Sequence, residues 1–246
     1  MLPTKDPIRP GLYDALSKHA GFSRDEYEFY CSLLKMRIVK KKEHYLQAGD
    51  ISRATAYVAS GCFRQYIIGD QGKEIIIQFA LEDWWIGDLE SFHYEKPSTF
   101  YIQALEDSEL MLLSRRDFLR VCEELPKYKS FPDEKVQRNH FATLKRLSIA
   151  KLGTPEEKYL LLMKEQPQLF QRVPLHYIAS FLSIEPESLS RLRKRLSVKP
   201  RKSYPTSRRG ASSLMYIYAI IRTKGGHHGH TTAGSGSPGA HQILTI

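Results

Sequence analysis

The stretch Val173–Leu196, VPLHYIASFLSIEPESLSRLRKRL, constrains the fold more than any other part of this 246-residue chain. Its apolar residues fall at helical spacing twice. Ile178, Ala179 and Leu182 make one inner face; Leu189, Leu192 and Leu196, at i, i+3 and i+7, make a second. Ala179 is small where two helices would cross closely. Ser183-Ile184-Glu185 forms the turn, and Pro186 occupies a first helical position that needs no N–H donor. Once the leucine stripe is buried, Glu187, Ser188, Ser190, Arg191 and Lys194 face outward near the start of the second helix. This is the geometry of a helix-turn-helix whose second helix enters the major groove, and it predicts double-stranded DNA as the partner.

A helical hairpin that packs against another protein would carry the same apolar pattern, so charge must discriminate. Past Glu187 the chain has no further acidic residue, while Arg191, Arg193, Lys194, Arg195, Lys199, Arg201, Lys202, Arg208 and Arg209 follow closely. A solvated helix face mixes signs; a face for phosphates does not. The formal charge of +10 points the same way.

Hydrophobic residues make up 41% of the chain and charged residues 26%, as in an ordinary globular protein. No apolar run is long enough to span a bilayer, Leu214–Ile221 being far too short. The N-terminus MLPTKDPIRPGLYDALSKH lacks a hydrophobic signal core, so a cytoplasmic protein with no membrane partner is expected. Cys31, Cys62 and Cys122 are far apart with no CxxC spacing, which predicts buried thiols rather than a zinc or iron–sulfur site.

Residues 11–36 read as helical, with Ser23 as N-cap and Glu26 three residues on as its capping-box partner. From about Arg37 short β-rich runs alternate with turns: RIVKKKEHYL, TAYVASGCFRQYII, KEIIIQFAL and TFYIQALEDSELMLLS. Asp70-Gln71-Gly72 marks a hairpin, and Glu106-Asp107 separates two further strands. Many short strands at regular spacing predict a double-sheet jelly roll or barrel. Arg115–Leu125 is a short helix ended by Pro126. Asp133–Leu152 is a longer one, with Val136, His140, Leu144 and Leu147 along one side, a seam suited to pairing two copies. Thr154-Pro155-Glu156-Glu157 starts another helix, running to about Glu165. Beyond Pro200 the chain is basic and then rich in Gly, Ser and His, the composition of a disordered tail. Within it, Leu214–Arg222 has the texture of a single strand, and His227, His228 and His230 fit a composition-driven tail better than a metal site.

A jelly roll, a connecting long helix and a C-terminal helix-turn-helix together resemble the Crp/Fnr family of bacterial transcription regulators, in particular the compact regulators seen in Bacteroidetes. The likeness covers about residues 10–197 and is anchored on Ile86-Gly87-Asp88-Leu89, Gln103–Leu113 and Ile178–Arg195. It implies an α+β protein: an N-terminal cyclic-nucleotide-binding-like jelly roll with flanking helices (residues 1–130), a dimerisation helix (131–152), a helix-turn-helix domain (153–200) and a basic tail (201–246). It also implies a homodimer, an unidentified small-molecule effector and RNA polymerase as a further partner.

The same resemblance places a ligand pocket at Gly87, Asp88, Leu89, Ser98 and Thr99. The family's phosphate cassette opens with Gly-Glu, here Gly87-Asp88: a tight turn whose N–H groups can face a phosphate, then a carboxylate for the ribose hydroxyl. Ten residues on, nucleotide-binding members carry Arg then Ser or Thr; this chain has Ser98-Thr99. A hydroxyl cannot neutralise a cyclic phosphate in a bidentate way, and Lys96 is only a flexible point charge. Leaving a buried phosphate unpaired costs about 3–5 kcal/mol, so tight cyclic AMP binding is not expected. Trp84 and Trp85 adjoin the pocket, at least one of them as a core residue. In the DNA reader, Pro186, Glu187 and Arg191 fall on positions that touch base edges and Ser188 on a phosphate position. Glu187 can accept from a cytosine amino group, and Arg191 can pair with guanine O6 and N7. Ser183 replaces the customary glycine of the turn, which strains a left-handed backbone position.

Two other functions suit a jelly roll. One is a cupin-like metalloenzyme, which needs clustered ligands; His44, His93, His140 and His176 are scattered. The other is a ligand-sensing protein-interaction module with an inactive DNA reader. No nucleophile–base pair is evident, so no catalytic residue, metal ligand or cofactor is assigned, and the chain is not expected to be an enzyme.

Overall fold

The computed structural model describes residues 10–131 and 153–198. Two helices open it, α1 (Pro10–Ala20) and α2 (Arg24–Ser32). The single helical stretch expected over residues 11–36 is therefore broken and ends early. Gly21 adopts φ +62°, which stops α1. Ser23 then caps α2: its hydroxyl accepts from the Glu26 N–H (3.3 Å) while the Glu26 carboxylate accepts from the Ser23 N–H (2.6 Å). Lys35 and Met36 already belong to the first strand.

Eight strands follow: β1 (Lys35–Val39), β2 (His44–Leu46), β3 (Ala54–Ser60), β4 (Phe63–Ile68), β5 (Glu74–Ala80), β6 (Trp85–Ile86), β7 (Tyr101–Ala104) and β8 (Ser108–Ser114). They form two four-stranded antiparallel sheets, in the orders β1-β8-β3-β6 and β2-β7-β4-β5. The hairpin expected at Asp70-Gln71-Gly72 is a 3₁₀ turn between β4 and β5. The turn into β4 depends on Gly61: at φ +101°, an added Cβ would lie 2.0 Å from Ser108 Oγ. A short helix, α3 (Leu89–Tyr94), interrupts the strands and was not anticipated; α4 (Arg115–Glu124) and a 3₁₀ turn at Pro126–Lys129 close the first region.

From residue 153 on, α5 (Pro155–Glu165), α6 (Leu169–Arg172), α7 (Leu175–Leu182) and α8 (Pro186–Val198) follow. Thr154 caps α5 as expected, with a capping box to Glu157. The dimerisation seam expected on Val136, His140, Leu144 and Leu147, and everything past residue 198, including the strand expected at Leu214–Arg222 and the tail residues His227, His228 and His230, lie outside the described residues.

Alternation along the strands gives each sheet an inner and an outer apolar face. Val39, Ala56, Val58, Phe63, Ile102 and Leu110 fill the space between the sheets. Tyr57, Met111 and Leu113 on one outer face pack against α1, α2 and α4 through Leu12, Leu16, Tyr27, Tyr30 and Val121. Trp85 joins this cluster, stacking edge-on against Tyr57, whereas Trp84 is exposed. The other outer face, Tyr66, Ile76, Phe79 and Leu81, shares one apolar cluster with Leu162, Leu169, Val173, Ile178, Leu182, Leu189 and Leu192 of the C-terminal helices. Burying Ile76, Phe79 and Leu81 contributes about 1.5–3 kcal/mol each. The sum rivals a typical whole-protein stability of about 5–15 kcal/mol, so sheet and helices hold each other in place.

Candidate functional site

The expected two-helix unit forms with its predicted inner residues. Ile178, Ala179 and Leu182 of α7 and Leu189 and Leu192 of α8 are buried, and Leu196 is partly so. Ser183 takes the left-handed conformation, φ 53° and ψ 51°, where glycine is the unstrained choice. Its N–H and that of Ile184 bond back to carbonyls of α7, the Ile184 N–H to the Ala179 oxygen at 2.9 Å, which ends the helix and turns the chain into Pro186.

Opposite the leucine stripe, Glu187, Ser190, Arg191 and Lys194 are exposed and Ser188 is half-buried. Arg191 Nη2 lies 3.4 Å from Ser188 Oγ, one turn earlier, a long contact that leaves the guanidinium on the surface. Arg195 is tied back to α5 by an ion pair to Glu156 at 2.6 Å. The carboxylates of Glu185 and Glu187 sit at the positive end of the α8 dipole, which favours them there. What remains along the helix is a cationic face.

The expected ligand pocket is a different case. Asp88 and Ser98 are brought together, both buried, but they bind each other: Ser98 Oγ donates to Asp88 Oδ2 at 2.8 Å. Asp88 Oδ1 accepts from the Ser91 N–H (3.1 Å) and so caps α3. Ser98 Oγ also accepts from the Phe100 N–H (3.0 Å), and its backbone is held on both sides by Gly49 and Asp50. Leu89 and Thr99 are exposed. Gly87 is outside the left-handed region and a Cβ there would meet nothing, so the backbone freedom expected of it is not used. Lys96 is exposed with its amine over the Tyr94 ring, 5.6 Å from the centroid. A separate cleft of about 200 Å³ opens beside Arg37, Tyr45, Ile51, Ser52 and Arg53 and contains none of the expected pocket residues. Burial there holds the Tyr45 phenol up at about 12.

The sequence reading missed the seam between the second sheet and the helices. Arg64, a buried arginine on β4, donates through Nε to Gln103 (2.9 Å) and through both terminal nitrogens to Glu74, Nη2 at 3.0 Å. Its guanidinium lies between two rings, 4.2 Å from the Tyr66 centroid and 4.1 Å from that of Tyr177 on α7. Arg172, at the end of α6, grips Glu82 (2.8 Å twice) and Glu106. The hydrogen bonds from Arg172 hold the Glu82 carboxyl down at about 2. His44 bonds the Tyr66 hydroxyl (2.9 Å), and burial with the nearby Arg64 charge lowers its pKa. A charged residue in the run FRQYII was the visible signal that this strand faces more than a dry core.

Among the described residues, no three His, Cys, Asp or Glu side chains come together to hold a metal ion, and no helix is long and apolar enough to cross a membrane.

Residues 36–125 match the family model described as a cyclic nucleotide-binding domain. No curated protein sequence matches the chain. Among solved structures, the chain is similar to FixK2 from Bradyrhizobium japonicum (TM-score 0.60, 13% identity, covering 76% of this chain and 96% of that one). It is also similar to CLP, a c-di-GMP responsive global regulator from Xanthomonas campestris (TM-score 0.59, 15% identity, 73% and 96%). The catabolite activator protein of Thermus thermophilus is a third (TM-score 0.50, 21% identity, 74% and 86%). At these identities the likeness is one of fold.

Proposed function

We propose that the chain is a DNA-binding transcriptional regulator of the Crp/Fnr type, acting in the cytoplasm as a homodimer. Residues 1–130 form the sensor, 131–152 pair two copies, 153–200 read double-stranded DNA and 201–246 add a basic tail. Glu187 and Arg191 reach base edges, Ser188 and Lys194 approach phosphates, and Ser190 lies between them on the same face. RNA polymerase and a small-molecule effector are the further partners of this reading. One observation carries it: α8 buries Leu189 and Leu192 and leaves Glu187, Ser190, Arg191 and Lys194 exposed. A helix meant only for packing has no use for such a cationic outer face.

The effector is not cyclic AMP at micromolar affinity. The carboxylate and hydroxyl that would meet ribose and phosphate are committed to each other and to backbone donors. The test of the DNA function is fluorescence anisotropy of the full chain on a duplex selected from random sequence, across 50–200 mM salt. A regulator contacting 6–10 phosphates loses about 10³–10⁵ in affinity over that range. Affinity that does not change with salt refutes DNA reading.

A further inference from the structure

The DNA-reading unit is docked on the free edge of a sheet. In the order β2-β7-β4-β5, β5 is an edge strand, and edges present unpaired backbone groups. Here one side chain of α7 satisfies two of them. Ser180 Oγ donates to the Glu74 carbonyl (3.1 Å) and accepts from the Ile76 N–H (3.2 Å), taking the place of a missing strand. Beside it, Tyr177 closes the far side of the Arg64 guanidinium, whose near side rests on Tyr66. On α6, Arg172 reaches two loops of the sheet at once, through Glu82 and Glu106. Phe181 packs on Phe79 with ring centroids 5.3 Å apart. The contacts are directional, so they fix an orientation as well as a proximity.

Docking uses α7 and α6 and leaves the outward face of α8 exposed. The docked arrangement is thus one in which the reading face is presented, not masked. We propose that the seam of Tyr177 on Arg64, Ser180 on the β5 edge and Arg172 on Glu82 and Glu106 is the device that orients the reading helix, and that loosening it lowers specific DNA affinity. The inference rests on the DNA-reading function proposed above and adds how that surface is regulated. A helix held in one orientation loses less freedom when it binds. β4 is suited to carry a signal to this seam, because Arg64 and Tyr66 face the helices while Phe63 lies in the core between the sheets.

Two variants of the full chain test it. Tyr177→Ala removes the ring over Arg64, while Tyr177→Phe keeps the ring and loses only the hydroxyl. Ser180→Ala, a smaller change, replaces Tyr177→Ala if that variant does not fold. Hydrogen exchange reads the seam without DNA: the Ile76 amide and the amides of α7 should exchange at least tenfold faster in Tyr177→Ala and within twofold of wild type in Tyr177→Phe. Anisotropy on the selected duplex should show at least a fivefold loss for Tyr177→Ala, with affinity for random duplex unchanged. Unchanged exchange overturns the seam. Faster exchange with unchanged specific affinity overturns its role in reading. A wild-type protein that binds no duplex overturns the DNA function itself, a result the exchange data do not share.

Discussion

Replacing Asp88 by alanine separates a structural carboxylate from a ligand-binding one. Asp88 sits almost fully buried at 6% exposure, beside Ser91 at 1% and Ser98 at 4%. Its loss removes the N-cap of α3, which costs about 1 kcal/mol. It also takes from the buried Ser98 hydroxyl its short acceptor, at about 1–3 kcal/mol for a buried group left poorly paired. The expected total is about 2–4 kcal/mol, or a fall in Tm on the order of 10 °C for a cooperative unit of this size. Asp88→Asn keeps an acceptor for the Ser91 N–H and should lose about 1 kcal/mol. The assay is urea denaturation followed by tryptophan fluorescence, with midpoints compared at constant slope. If both variants unfold within about 0.5 kcal/mol of wild type, the carboxylate is not structurally engaged. The case against cyclic AMP would then rest only on Ser98, which stands where nucleotide-binding members carry an arginine.

Arg191→Ala should weaken binding to the selected duplex by about 1–3 kcal/mol and relax preference at one base pair; equal losses on selected and random duplex in gel shifts would make Arg191 a phosphate contact. Leu189→Ala, at a fully buried position, should destabilise the chain by about 2–5 kcal/mol in urea melts. Gly61→Ala should be severely destabilising, because its Cβ would lie 2.0 Å from Ser108 Oγ at a backbone angle that L-residues avoid; normal expression and melting would refute that. Glu82 has its carboxyl lowered from 4.5 to about 2 by the Arg172 hydrogen bonds. The folded state thus releases this proton more readily than the unfolded chain. The stability it contributes is complete above about pH 4.5 and is lost as pH falls through about 2. Acid titration of Glu82→Gln should show a shallower decline over that window.

Local chemistry was legible in the sequence. The capping box at Ser23, the helix start at Thr154, the turn at Asp70–Gly72 and both faces of α8 follow from neighbours within a few residues, where spacing dictates geometry, while the strain at Ser183 was implied by the family resemblance. The break at Gly21 and the six-residue α3 were missed because a short amphipathic run does not reveal where one helix stops. The candidate pocket was half legible. Asp88 and Ser98 were picked as partners of a ligand, and they are buried together, but a sequence does not say that two acceptor-and-donor groups will choose each other. The seam was not legible at all. Arg64 meets Tyr177, and Arg172 meets Glu82 and Glu106, only because the chain folds the C-terminal helices back onto β5.

The shared apolar cluster between the second sheet and the C-terminal helices has an evolutionary corollary. Moving the C-terminal helices alone onto a foreign jelly roll would leave Ile76, Phe79 and Leu81 bare on the donor and seat the helices on a surface not shaped for them. Recombination that respects only the sequence boundary near residue 153 should therefore yield insoluble chimeras. The heritable module includes the outward residues of β4 and β5, so the two halves are expected to change together across a lineage, with substitutions at Phe79 answered at Phe181.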